Sequence, residues 1–181
     1  MLRTAAIARA AFVAIAFIAA DAGAAEQQGA AKPCQGASYR AFDFWIGEWD
    51  AYVTGTDNLA GQSSIRSEDS GCVITEHWRS RRAAYSGRSL NTYDRASGKW
   101  LQFWMDSNGD LTRFAGNPPS PGQMALVAED DVSPDNPAPR WRRMTFTRNA
   151  DGSVRQHGEI SSDHGATWSS EYDFTYRPRR E

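Results

Sequence analysis

The sequence predicts an all-β domain, an antiparallel barrel of about eight to ten strands in meander order. Short apolar and aromatic segments recur at near-regular spacing from residue 42 onward, and the turn sequences RASG, SNGD and NADG separate several of them. No long segment has helical periodicity. The last segment alternates most clearly, because polar residues occupy one parity and aromatic residues the other. The aromatic parity holds Trp168, Tyr172, Phe174 and Tyr176.

The N-terminal residues 1–25 predict a secretory signal peptide rather than part of the fold. Arg3 and Arg9 precede the apolar run AFVAIAFIAA, and small residues suited to cleavage follow it. The run is too short to predict a membrane span. We therefore expect a periplasmic or secreted protein with no membrane span after signal removal. Residues 26–41 are expected to form a flexible lead-in, and residues 42–181 the barrel domain.

Ten segments have the length and composition of strands. In chain order they are FWIGEWDAYVT, SSIRSED, CVITEHWR, YSGRSLNTYD, KWLQFWMD, LTRFAG, QMALVAE, RWRRMTFTRN, SVRQHGEISS and TWSSEYDFTYR. The connection DDVSPDNPAP is rich in Pro and Asp, so it predicts an exposed loop. Closing the strands into a barrel would remove the exposed edges of so aromatic a sheet.

The composition of the chain bears on its partners. The net charge of −2 gives no electrostatic drive toward nucleic acid, and no nucleic-acid partner is expected. Seven Trp, six Tyr and eight Phe among 181 residues favour strands and aromatic-lined pockets. Basic residues next to Trp141, including Arg142 and Arg143, are expected to face solvent.

Export makes the two cysteines, Cys34 and Cys72, informative. In an oxidising compartment they allow a single internal pairing. A disulfide between them would close a loop of about 39 residues and stabilise the fold by about 3–4 kcal/mol. The alternative is two separate thiols.

The octapeptide SSDHGATW, residues 161–168, matches the Asp-box pattern that sialidases carry in repeated copies. It occurs once here, with no blade repeat around it, so we interpret it as a hairpin turn before the last strand. Asp163 is expected to accept hydrogen bonds from the turn amides, and Gly165 to adopt a positive φ. Trp168 should begin the inward parity of the last strand.

The segment FDFWIGEWDAY is the most specific in the chain, and its Gly47 and Trp49 form the G-x-W found on the first strand of lipocalin-like (calycin) barrels. Together with GCVITEHW, SLNTYD and SSDHGATW, it resembles a family of exported bacterial proteins classed as a domain of unknown function. The resemblance implies a lipocalin-like barrel with a pocket and supplies no activity. It also implies that Trp49 packs across the barrel floor, with Arg177 stacked on it through a cation–π contact.

Strand parity places aromatic and polar side chains together on the faces that carry tryptophan. If these faces look inward, the interior holds Glu76, Trp78, Asn91, Tyr93, Gln102, Trp104 and Asp106. Apolar walls with a few convergent polar groups suit a small-molecule pocket. In one alternative, the opposite face of Leu101, Phe103 and Met105 forms the core. In another, the polar groups satisfy one another inside a filled barrel.

These observations favour a binding protein for a small, partly apolar ligand over an enzyme. The alternative is a hydrolase or isomerase in which Glu76 and Asp106 act as acid and base, because aromatic surroundings raise a carboxyl pKa. A second alternative is a non-catalytic interaction module with a filled barrel. No cofactor or metal is expected, since the histidines lack the spacing of metal ligands.

Overall fold

The chain folds into a closed antiparallel barrel in the computed structural model, which describes residues 33–133 and 136–180. The strands are β1 (Gly47–Val53), β2 (Leu59–Glu68), β3 (Val73–Ser80), β4 (Ser86–Asp94), β5 (Lys99–Asp106), β6 (Leu111–Asn117), β7 (Gln123–Ser133), β8 (Asn136–Arg148), β9 (Val154–Ser161) and β10 (Ser169–Pro178). Within the described residues these ten strands follow in meander order, and β1 pairs with β10 to close the ring. The predicted all-β barrel is confirmed.

Two predicted N-terminal features fall wholly or partly outside this description. The signal peptide, residues 1–25, lies outside the described residues, as do residues 26–32 of the lead-in. The helices that the structure does describe are too short and too polar to cross a membrane.

The interior of the barrel (the lumen) is formed by the faces that carry tryptophan, as the strand parity predicts. On β5, Trp100 and Gln102 are each 2% exposed, whereas Met105 on the opposite face is 39% exposed. On β3, Ile74 and Trp78 are likewise buried. The alternative in which Leu101, Phe103 and Met105 form the core is therefore wrong, because inward residues alternate strictly along these strands.

The hairpin between β7 and β8 differs from the predicted loop. Both strands extend into DDVSPDNPAP, since β7 ends at Ser133 and β8 begins at Asn136. Their outer parts pair with each other through an irregular register, for example Asp131 with Arg140. The pairing of β7 with β6 ends at Val127, and the pairing of β8 with β9 begins only at Trp141, so neither reaches these outer parts. Proline is tolerated in such a ribbon, because the backbone needs no partner on its other side.

One end of the lumen, here named the closed end, is filled by the segment that precedes β1. Helix α1 (Ala37–Arg40) and a 3-10 helix (Asp43–Trp45) cross this end. Phe42 and Trp45 are fully buried and stack with ring centroids 4.9 Å apart. Phe42 also meets the ring of Phe146 on β8 at 5.0 Å. The aromatic rings of this segment therefore fill the lumen at the closed end.

Residues 33–41 pack against the barrel instead of forming the expected flexible lead-in. The predicted disulfide between Cys34 and Cys72 is confirmed, and it ties this segment to the start of β3. Trp100 donates a hydrogen bond from Nε1 to the carbonyl of Ser38 at 3.0 Å. The ring of Tyr39 meets that of Tyr93 at 5.3 Å. Sequence composition alone missed this packing, because its partners lie more than 30 residues away.

Trp49 is 5% exposed at the closed end, and its Nε1 donates to the carbonyl of Trp45 at 2.9 Å. Its ring lies against Gly47, where a Cβ would crowd the indole. Arg177 does not stack on Trp49 as the resemblance implied. Its guanidinium lies 4.4 Å from the ring centroid of Tyr52, because position 177 belongs to the outward parity of β10.

The SSDHGATW turn has the expected hydrogen bonds. Asp163 accepts from the hydroxyl of Thr167 at 2.6 Å, from the hydroxyl of Ser161 at 2.7 Å and from the amide of Thr167 at 2.8 Å, and these bonds lower its pKa to about 2. Gly165 has a φ of 85°. Trp168 does not begin the inward parity, because a bulge between Ser170 and Tyr172 shifts the register. Its ring lies instead 4.2 Å from the guanidinium of Arg143.

Candidate functional site

A cavity of about 290 Å³ occupies the half of the lumen farthest from the closed end. It lies where β3, β5 and β7 end and β4, β8 and β10 begin, and we name this end of the barrel the open end. Its walls combine aromatic side chains with inward polar groups, as small-molecule sites do. The aromatic wall consists of Trp78, Tyr85, Trp104, Phe114, Tyr172, Phe174 and Tyr176.

Glycines on neighbouring strands keep this cavity open. Three wall rings each lie over a glycine: Trp78 over Gly61, Trp104 over Gly87 and Tyr172 over Gly158. A Cβ at any of these glycines would overlap ring carbons, so another residue would force the ring toward the lumen. Glycine in a strand often marks such a close approach.

Glu76 on β3 is the deepest charged group of the cavity, with 6% of its surface exposed. Its two carboxylate oxygens accept hydrogen bonds from Ser63 and Ser89, both at 3.0 Å. Burial raises the pKa of Glu76 to about 7, although both serine bonds oppose the shift. Among the described residues, no Lys, Arg or His side chain lies within 4.0 Å of this carboxylate.

A chain of hydrogen bonds orients the groups beside Glu76. Asn91 donates from Nδ2 to the hydroxyl of Ser89 at 2.9 Å and to the carbonyl of Ile74 at 2.9 Å. Its Oδ1 accepts from Nε2 of Gln102 at 2.7 Å. Asn91 itself is fully buried behind the wall, whereas Gln102 lines the cavity. Such a network fixes the carboxylate in place without neutralising it.

A second polar group faces the cavity from β9. Gln156 accepts a hydrogen bond from the hydroxyl of Tyr176 at 2.6 Å, and its Nε2 donates to the hydroxyl of Tyr172 at 3.3 Å. Burial raises the pKa of both tyrosines above their ordinary value, and the charge of Glu76 adds to the shift. Both hydroxyls therefore stay protonated at neutral pH.

An ion pair lies at the mouth of the cavity. Arg142 on β8 donates from Nη2 to the carboxylate of Glu171 at 3.0 Å, and its Nη1 lies 3.7 Å from Asp131. The β10 bulge leaves Glu171 as an extra residue beside Tyr172, and both line the cavity. The expectation that Arg142 faces solvent is wrong, because it shares the inward parity of Met144.

The predicted site residues separate into two groups. Glu76, Trp78, Gln102 and Trp104 line the cavity. Asn91, Tyr93 and Asp106 do not: Asn91 lies behind the wall, Tyr93 lies at the closed end, and Asp106 is the last residue of β5, where its carboxylate caps the following turn.

The carboxylate of Asp106 is hydrogen-bonded within the turn that follows β5. Its Oδ1 accepts from the amides of Asn108 at 2.9 Å and Asp110 at 3.2 Å, and its Oδ2 accepts from the hydroxyl of Tyr85 at 3.1 Å. The structure therefore does not bring Glu76 and Asp106 together as an acid/base pair. A carboxylate directly before a Ser-Asn-Gly turn can accept hydrogen bonds from the amides of that turn.

Several cavity residues lie outside the predicted site. Among them are Gln156, which shares the inward parity of Val154 on β9, and Phe114, Arg142, Met144 and Glu171. Parity would have indicated most of them. The bulge that turns Glu171 into the cavity has no sequence signal that we recognise.

The histidines do not contribute to this site. His77 lies beside Arg79 and Arg88, and burial together with these charges lowers its pKa. His157 contacts Ser170. In residues 33–133 and 136–180, no group of three His, Cys, Asp or Glu side chains is arranged to hold a metal ion.

Neither a protein-family model nor a curated protein matches the sequence. The closed barrel is compatible with a lipocalin-like fold. The function must therefore be inferred from the cavity itself.

Proposed function

We propose that this protein is an exported, lipocalin-like binding protein that holds a small, partly apolar molecule in its lumen. The observation that carries the proposal is the cavity of about 290 Å³, lined by seven aromatic side chains and several inward polar groups, at one end of a barrel whose other end is filled. Barrels of this size often enclose one small ligand. The disulfide between Cys34 and Cys72 supports an oxidising compartment, in the periplasm or outside the cell.

The cavity also favours binding over the filled-barrel alternative. An interaction module with no ligand would gain stability from larger residues in its lumen, since each unfilled volume reduces packing. Here the lumen is left unfilled, because Gly61, Gly87 and Gly158 let aromatic rings lie close to the barrel wall and the side chain of Ala60 is small. The side chains at the open end therefore make fewer contacts with one another, as expected where a bound ligand supplies the missing contacts.

Catalysis is a second candidate, supported by one observation. A carboxyl group with a pKa of about 7 suits general acid or base chemistry at neutral pH. The hypothesised partner Asp106 is held in its turn, so Glu76 would have to act alone. A Glu76→Gln variant that binds ligand but ceases to convert it would favour this candidate over simple binding.

Native mass spectrometry of the protein purified from its own host tests the binding proposal. We expect a bound small molecule on the wild type. An Ala60→Phe variant should lose it, because Ala60 lines the cavity. The matched control is Leu90→Phe on the outer face, where Leu90 is 48% exposed, and it should keep the ligand.

A second measurement covers ligand that is lost during purification. The neutral fluorophore N-phenyl-1-naphthylamine should bind to the ligand-free wild type and to Leu90→Phe, and it should bind far more weakly to Ala60→Phe. Equal binding to all three proteins, or none to any of them together with no bound mass, would contradict the proposal.

A further inference from the structure

Within the part of the chain that the structure describes, the Glu76 carboxylate faces the cavity without a counter-charge within 4.0 Å. Its partners are the hydroxyls of Ser63 and Ser89, which are neutral. Burying an ionised carboxylate is unfavourable unless a cation pairs with it. A hydrophobic residue or a glutamine at this position would avoid that penalty. The arrangement therefore has room for a positive charge supplied from outside the chain.

The other charges around the cavity do not supply that positive charge. Arg142 is paired with Glu171 at 3.0 Å and lies 3.7 Å from Asp131, so two acidic groups neutralise it. Arg82 also lines the mouth but is exposed. The remaining groups that face Glu76 are neutral: serines from β2 and β4, Gln102 from β5, and the side chains of β9 and β10.

The walls near Glu76 consist of the groups that best attract a cation in an apolar site. Phe174 stacks with Trp78 at 5.7 Å and with Tyr172 at 5.3 Å, in both cases with ring planes 20° apart. Tyr176 lies 6.1 Å from Trp78. A cation within about 6 Å of such ring faces is attracted by their quadrupoles. The aromatic rings and the carboxylate thus favour the same sign of charge.

We propose that the ligand of this lumen is an organic cation, a protonated amine carried by an apolar or aromatic group, with its ammonium at the Glu76 carboxylate. The inference rests on the proposed function, because it requires that the cavity binds a ligand. The apolar part of the ligand lies among Trp78, Trp104 and Phe174. The ion pair of Arg142 and Glu171 borders its exit.

Three probes of similar size distinguish the charge of the ligand: 2-phenylethylamine, 2-phenylethanol and 3-phenylpropionate. Titration calorimetry at pH 8 should show that the amine binds at least about tenfold more tightly than the alcohol, in line with a desolvated charge pair. The carboxylate should bind most weakly, because it would meet Glu76 with the same sign of charge.

The pH dependence of amine binding tests the role of Glu76 separately. The free carboxyl has a pKa of about 7, so amine affinity should rise as pH increases from 5 to 8 and then level. The groups facing Glu76 are not expected to titrate in this range. Tyr172 and Tyr176 have raised pKa values, and Arg142 is held charged by Glu171. A ligand that accepts a hydrogen bond from the protonated Glu76 carboxyl would instead bind more weakly as the pH rises.

Two variants complete the experiment. Glu76→Gln keeps the size of the side chain and should reduce amine affinity at least about tenfold, leaving alcohol binding nearly unchanged and removing the pH dependence. Glu159→Gln is the control, because that carboxylate pairs with Arg143 on the outer face. It should bind all three probes as the wild type does.

The outcomes separate the two proposals. Alcohol or carboxylate binding as tight as amine binding, or amine binding that Glu76→Gln leaves unchanged, would overturn the cation inference and leave the binding function in place. No binding of any of the three probes to a wild type that binds the fluorophore would overturn the cation inference alone, and the absence of probe binding, fluorophore binding and bound mass together would overturn both. Selective amine binding that depends on Glu76 supports both.

Discussion

Both ends of this barrel are rich in aromatic residues, but these residues fill the closed end and line a cavity at the open end. At the closed end, Phe42, Trp45 and Phe146 meet ring to ring with centroids 4.8–5.0 Å apart and fill the lumen. At the open end, Trp78 and Trp104 lie against the barrel wall. Aromatic content alone therefore does not decide whether a barrel is filled.

The difference lies in the partners of the rings. At the closed end the rings meet a segment that crosses the barrel, and the indole N–H of Trp49 is satisfied by the carbonyl of Trp45. At the open end the rings lie over glycines, which let them sit close to the wall. At the open end, the glycines beneath Trp78, Trp104 and Tyr172 thus leave room for the cavity that these rings line.

The largest expected effect is at the closed end. Replacing Trp45 with Ala should destabilise the fold by about 3–5 kcal/mol, since a fully buried indole is removed. Trp104→Ala should cost clearly less, because its ring already borders a cavity. Urea denaturation of both variants measures the contrast. Equal losses would mean that the open end is packed as tightly as the closed end.

The disulfide should matter nearly as much. Replacing both Cys34 and Cys72 with Ser should lower the free energy of unfolding by about 3–4 kcal/mol, because the link restricts the unfolded chain and anchors the segment that fills the closed end. Denaturation of the variant beside the wild type tests this. Binding of a probe at the open end should persist under native conditions, and its loss would contradict the separation of the two ends.

The open end should give the barrel an unusual pH dependence. The pKa of Glu76 is about 7 in the fold, against an ordinary value of 4.5, so between these pH values the folded state holds a proton that the unfolded state releases. Stability should therefore fall by about 3 kcal/mol as pH rises from 4.5 to 7. Glu76→Gln should lack this loss, in denaturation series at several pH values. Parallel profiles for both proteins would contradict the shifted pKa.

The smallest effect concerns the glycines. Gly158→Ala should push the Tyr172 ring into the lumen, destabilise the fold by about 1–3 kcal/mol and weaken probe binding. Gly36→Ala is the matched control, because its side chain would meet open space. It should stay within about 0.5 kcal/mol of the wild type. Probe affinity that Gly158→Ala leaves intact would show that the ring does not border the site.

The sequence predicts the barrel and much of the site because strand parity is a local property. Alternation places Glu76, Trp78, Gln102 and Trp104 in the lumen. It cannot place Asp106, whose strand ends in a turn that captures the carboxylate. Nor can it foresee the bulge that brings in Glu171, which depends on the pairing of β9 with β10. The packing of residues 33–41 is likewise decided by distant partners.

A crystal structure of the protein with 2-phenylethylamine tests the central claim most directly. We expect the ligand in the open end, with its nitrogen within hydrogen-bond distance of a Glu76 oxygen and its ring against Trp78, Trp104 or Phe174. A lumen closed by collapsed aromatic side chains would contradict the binding function. A bound ligand with its nitrogen directed to the mouth, away from Glu76, would contradict the assignment of that carboxylate.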